Sequence, residues 1–216
     1  MIIAPYIPAR LLQAMPIVHE WSDWDPYPLI PGNDPRAEAE LGRVSHWAKL
    51  VFAIGCAEWV VARLAPELPD DRPGQFINAC WAYELSEQYG LPDELNDEEW
   101  EGPILGPICL ALATILNTRY GFDEDNAELD AAFAEQIAKY VIPNRQSFVH
   151  WRDAVIGRLI NIASRDAAPL PGMRLPRQVL DPTVPIDVTR LTRLREQFIV
   201  QIDLTSNPFV RLTDES

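Results

Sequence analysis

Apolar side chains recur at helical spacing through the middle of the chain and lose that rhythm at both ends. Val44, Trp47, Val51, Ile54, Ala57 and Val61 follow the helical period and predict a first helix over residues 36–64. Leu50, Phe52, Trp59 and Val60 fill its other faces, so this helix is apolar almost all round and belongs at the centre of a fold. Gly55 and Cys56 leave room for a close helix crossing. Ala65-Pro66 ends the segment, because a residue before proline disfavours the helical conformation. A second helix is expected over 73–89, with Phe76, Ile77, Cys80, Trp81 and Leu85 as its buried stripe and Glu84, Glu87 and Gln88 off it. Proline near its start and Gly90 just past its end fit the usual asymmetry of helix termini.

The third helix, over 103–120, is the most apolar and should lie beside the first, with Gly121 as its stop. The fourth, over 126–141, opens on Asp125 with Glu128 three residues on, a capping pattern, and turns Leu129, Phe133, Ile137, Tyr140 and Val141 inward. The fifth, over 144–165, carries the stripe Phe148, Trp151, Val155, Leu159 and Ile162. A short final helix over 188–204 would place Leu191, Leu194, Phe198 and Ile202 on one face, with Arg190, Arg193 and Arg195 around it.

The two ends read differently. Seven prolines fall in residues 1–35, which rules out one continuous helix or a central strand there. That segment reads as an extended arm with one helical turn near 9–15, its WSDWDPYP aromatics (Trp21, Trp24, Tyr27) packed on the body; an aromatic patch for a peptide or ligand is the sharper alternative. Residues 168–186 hold five prolines and read as a linker crossing the surface, and 207–216 as a loose end. The expected architecture is therefore all-α. It has an N-terminal arm over 1–35, a single bundle of about five main helices over 36–166, and a proline-rich C-terminal arm with a short helix over 167–216.

Composition sharpens this picture. Apolar residues make up 48% of 216, enough for a full core. Residues 1–143 carry 8 basic and 24 acidic side chains, net −16, whereas 144–216 carry 10 and 8, net +2. Such a field repels nucleic-acid phosphates and anionic membranes and attracts basic proteins. Cys56, Cys80 and Cys109 are scattered among apolar residues with no CxxC, the pattern of reduced, buried thiols in a cytoplasmic protein. Prolines interrupt the apolar N-terminus ahead of its first positive charge, unlike a signal peptide, and the apolar run 104–116 is too short to span a membrane.

Motifs that specify a chemistry are missing. There is no phosphate-binding glycine loop, no GxSxG, no HExxH and no zinc spacing, so no cofactor and no catalytic residue is assigned. His46 and His150 would share a metal only if their helices met; hydrogen-bonded imidazoles are the simpler account. The stretch 123–130 departs from a calcium loop, with Glu128 and Ala134 where glycine and glutamate are required.

Carboxylates remain as the candidate chemistry. The loop 93–101 holds Asp93, Glu94, Asp97, Glu98, Glu99 and Glu101 with no positive charge, and Trp100 as an anchor. Together with Glu84, Glu87, Asp123, Glu124 and Asp125 they form an expected acidic face that would dock a basic partner. The functional expectation is a non-enzymatic protein-binding module, of the kind a bacterial immunity protein or antitoxin provides against a cationic toxin. Two alternatives stand beside it. ExxE pairs at Glu84/Glu87 and Glu98/Glu101 suit an all-α nucleotide pyrophosphohydrolase holding Mg²⁺ on helix-borne carboxylates. The Arg190–Arg195 region could instead sit on the acidic face of a second copy, giving self-association through the C-terminal arm, or clasp the face of its own chain.

Overall fold

A computed structural model describes residues 4–13, 15–32, 34–143, 145–166, 173–202 and 204–213. The fold is all-α. Among the described residues there are seven α-helices: α1 Pro35–Leu41, α2 His46–Leu64, α3 Arg72–Leu85, α4 Gly102–Glu124, α5 Ala127–Val141, α6 Arg145–Ile162 and α7 Leu191–Ile199. Two short antiparallel strands, β1 Tyr89–Gly90 and β2 Arg211–Leu212, pair Tyr89 with Leu212 and Gly90 with Arg211. α2 is the hub: every residue from Ala48 to Leu64 is buried, against α4 and α5 on one side and α3 and α6 on others. Gly55 brings the α6 ring of Trp151 so near that a Cβ would lie 3.0 Å from it.

The expected first helix is broken at 42–45, where pairing with the end of α6 outweighs helical continuity. Val44 bridges Ser164, the Ser45 amide donates to the Ala163 carbonyl at 2.8 Å, and the Arg165 amide to that of Arg43 at 2.9 Å. Ser45 then caps α2, its hydroxyl accepting from the Ala48 amide at 3.3 Å. α3 stops at Leu85, short of Tyr89, because Ser86 turns extended and the chain is recruited into β1. α4 runs past Gly121 to a left-handed Asp125 (φ 56°). Gly121 serves the tight turn into α5, since a Cβ there would lie 2.8 Å from the Ala127 Cα. The inward face of α5 is built from alanines 127, 131, 132, 134 and 138, which allow close approach to α2 and α4, while Leu129 is 44% exposed.

α4 is long and apolar enough, by length and composition, to cross a membrane, with mean hydropathy 1.2. Its place between α2 and α5 accounts for that character, as 61% of the window is buried in the protein. Pro107 inside α4 has no N–H for the Pro103 carbonyl, and His19 Nε2 of the N-terminal arm donates to that carbonyl at 2.8 Å instead. The Asp23 carboxylate accepts from the Gly102 amide at 2.7 Å and from Trp21 Nε1 at 2.9 Å, capping the same helix end from outside. Gly106 is the seat for Trp21: a Cβ would meet the indole at 2.1 Å. The arm is thus fastened along its length, helped by Arg63 donating to the Met15 and Pro16 carbonyls and by Tyr140 Oη donating to the Glu20 carbonyl. Its helical turn is 3-10, over Ala9–Leu12.

The segment expected to cross the surface as a linker is instead part of the core where it is described. Leu175, Val179 and Leu180 are fully buried, and Trp151 Nε1 donates to the Leu180 carbonyl at 2.8 Å. Pro169, Pro171 and residues 214–216 lie outside the described residues, as does Asn144 at the expected start of the fifth helix, while 207–213 of the expected loose end is fastened through Asn207 and β2. The final helix is shorter than its pattern, and Leu191 and Phe198 are its buried contacts. Arg195 donates to the Leu85 carbonyl, Asn207 to that of Gln75, and Arg211 pairs with Asp93. Both arms therefore clasp their own chain.

Candidate functional site

The acidic loop is held in one shape by what surrounds it. Trp100 is buried at its end, with the Arg72 guanidinium over its ring at 5.2 Å. Arg72 also pairs with Glu99 at 3.6 Å and Asp70 at 3.0 Å. Glu94 lies beside Tyr120 near the C-terminal end of α4; burial, then the Glu94 charge, raises that phenol's pKa. Asp97 lies near enough to Cys109 to help burial push its thiol up to about 11. The loop therefore runs back along α4 from Tyr120 to Glu101 at the N-terminal end, a helix of about 34 Å. Asp123 and Glu124, about one turn beyond Tyr120, extend the same edge.

Ten of the eleven predicted carboxylates are exposed and separate into three groups. Asp97, Glu98, Glu101 and Glu87 are exposed and have no ion-pair partner among the described residues. Asp93, Glu99, Asp123 and Glu124 are also exposed but tethered, to Arg211, Arg72, Arg119 (3.7 Å) and Asn126 (2.9 Å) respectively, and exposed Glu94 lies beside Tyr120. Asp125 is spent on an internal clasp: one oxygen pairs with Arg165 at 2.6 Å and the other with His46 at 3.0 Å. Those two contacts, Arg165 first, hold its pKa below the ordinary range. The expected capping box is therefore not formed, and Glu128 pairs with the buried Lys49 at 2.7 Å.

Glu84 is a correction to the acidic face. It is wholly buried, because Leu175 of the C-terminal arm covers it and donates its amide at 2.6 Å. Its second oxygen has no hydrogen-bond partner. Burial raises its pKa well above 4.5, against the opposing pull of that amide, Arg174 and Arg195.

The ExxE geometry also dissolves. Glu87 lies beyond the end of α3, Glu98 sits in a 3-10 turn over Asp97–Glu99, and Glu101 is the residue before α4. Among the described residues no three His, Cys, Asp or Glu side chains are grouped to hold a metal ion. His46 bonds to Asp125, His19 to Pro103, and His150 is exposed on α6. Cys56, Cys80 and Cys109 are buried and unpaired.

Two features escaped the sequence reading. Glu58, within an otherwise apolar stretch of α2, is a buried junction: it accepts from Tyr6 Oη, from Trp81 Nε1 at 2.9 Å and from Arg177 at 2.8 Å. The signal was a lone carboxylate in the middle of a helix that is apolar almost all round. The other is Trp24, 96% exposed beside a seated Trp21, which the shared WSDW context did not separate.

No family model matches the chain, and no curated protein and no solved structure matches it.

Proposed function

We propose that this is a non-enzymatic acidic module that binds a basic protein, in the manner of an immunity protein or antitoxin neutralising a cationic partner. One observation carries the reading: Asp97, Glu98 and Glu101 stand exposed and without ion-pair partners among the described residues, on a loop that buried Trp100 and the Arg72 contacts to Trp100 and Glu99 hold in shape. A charged surface fixed before encounter speeds association and selects the partner's sign. The net charge of −14 disfavours nucleic acid and anionic membranes as partners. Three unpaired thiols support a reducing, cytoplasmic setting.

The pyrophosphohydrolase reading loses its donors, since Glu84 is enclosed and Glu87 lies off the helix. Self-association through the Arg190–Arg195 region is weakened by the arm's attachment to its own body through Arg195 and Arg211. The test compares capture from the source lysate by the wild type and by a triple charge reversal, Asp97→Lys, Glu98→Lys and Glu99→Lys. A stoichiometric basic protein held by the wild type at low salt, released at high salt and lost by the variant is the expected result. Equal capture by both proteins would end this reading.

A further inference from the structure

We propose that the exposed surface of Trp24 and Tyr27 is the anchor of the docking face, and that it receives an arginine-bearing, partly apolar segment of the basic partner. The inference rests on the acidic-module reading and gives it a specific contact. Trp24 is 96% exposed and Tyr27 61%, yet neither belongs to a loose chain. On one side Trp21 is seated over Gly106, and Asp23 holds both that indole and the Gly102 amide. On the other side Tyr27 stacks on Phe133 of α5, ring centroids 5.9 Å apart. The Asp25 amide donates to Ser22 Oγ at 3.2 Å, closing the turn that carries Trp24.

A large aromatic ring presented to water from a fixed turn, beside a second exposed ring, is the composition of an interface anchor rather than of a solvated surface. Charge complementarity names the occupant. Glu20, Asp25 and Glu101 surround this turn in sequence or through the Asp23–Gly102 bond, all exposed and without ion-pair partners among the described residues. Arginine stacks its guanidinium on an indole face and bonds to flanking carboxylates in one geometry, which lysine does less well. A second copy of this chain would bring the same negative charge to the contact.

The test uses the full chain with hexa-arginine and hexa-lysine peptides as probes, followed by the Trp indole N–H resonances. The Trp24 signal is the one missing from Trp24→Phe. The expected result is that hexa-arginine moves this signal and binds more tightly than hexa-lysine. Trp24→Ala should weaken hexa-arginine about tenfold and Trp24→Phe far less. An unmoved Trp24 signal, or a Trp24→Ala affinity within about twofold of wild type, overturns the proposal. The reversal of Asp97, Glu98 and Glu99 separates the two claims. Loss of binding there but not in Trp24→Ala leaves the acidic module standing without this anchor. Loss in neither removes both. Without peptide, a solution mass that rises with concentration in the wild type but not in Trp24→Ala assigns the surface to a second copy and overturns the arginine-bearing occupant.

Discussion

Glu58 and Glu135 inside the bundle and Asp97, Glu98 and Glu101 outside it are the same chemistry put to opposite uses. Glu58 and Glu135 are both answered by basic groups. Glu58 ties Tyr6 of the N-terminal arm, Trp81 of α3 and Arg177 of the C-terminal arm to α2. Glu135 takes Arg152 at 2.9 Å and Lys139 at 2.5 Å, and Arg152 reaches on to Glu40 of α1. Each such junction joins segments far apart in sequence, so its charge belongs to the fold. The loop carboxylates have no such duty. The lesson is that the acidity of this chain divides by cover: Glu58 and Glu135 are enclosed and answered by arginine, whereas Asp97, Glu98 and Glu101 are exposed and have no ion-pair partner among the described residues.

The contrast can be broken by mutation. The largest effect is expected for Arg177→Ala, which leaves Glu58 buried without its counter-ion. Losing one partner of a buried pair costs about 3–5 kcal/mol, read as a lower urea midpoint. Gly106→Ala should come next, at about 1–3 kcal/mol. The added methyl collides with Trp21 and lifts the arm from α4, visible as faster proteolysis around residues 15–30. Glu98→Lys and Trp24→Ala should both stay within about 0.5 kcal/mol of wild type, as exposed substitutions away from any junction do. If Glu98→Lys destabilised as much as Arg177→Ala, the division between inside and outside carboxylates would fall.

Glu84 sharpens the same contrast through pH. Its folded pKa is raised above the ordinary 4.5, so the stability it contributes is fully present below that value and is lost as pH rises through the folded pKa. Unfolding midpoints measured upward from pH 4.5 should therefore decline by this contribution. Glu84→Gln, which keeps an oxygen for the Leu175 amide, should flatten the decline. An unchanged slope in the variant would show that the carboxyl does not titrate in this way.

Much of the bundle was legible because local pattern and tertiary burial agree there. The all-round apolar character of α2 and the stripes on α3 and α6 mark faces that are indeed enclosed. What pattern could not show is cover supplied from far along the chain. Glu84 lies off the stripe of α3 by spacing, yet Leu175, 91 residues away, encloses it. The break before α2 comes from a partner at Ser164, and the alanine face of α5 from the closeness of its neighbours. In the acidic set, spacing treated Asp125 and Glu98 alike; only the fold brings His46 and Arg165 to the first and, among the described residues, no ion-pair partner to the second. The two tryptophans of WSDW likewise differ through Gly106, 85 positions after Trp21.

The most direct test of the central claim is the salt dependence of binding between this chain and the basic protein proposed as its partner. The wild type should lose affinity steeply as salt rises, and the triple reversal at Asp97, Glu98 and Glu99 should bind weakly at every salt concentration. An affinity that is insensitive to salt and equal in the two proteins would contradict the account.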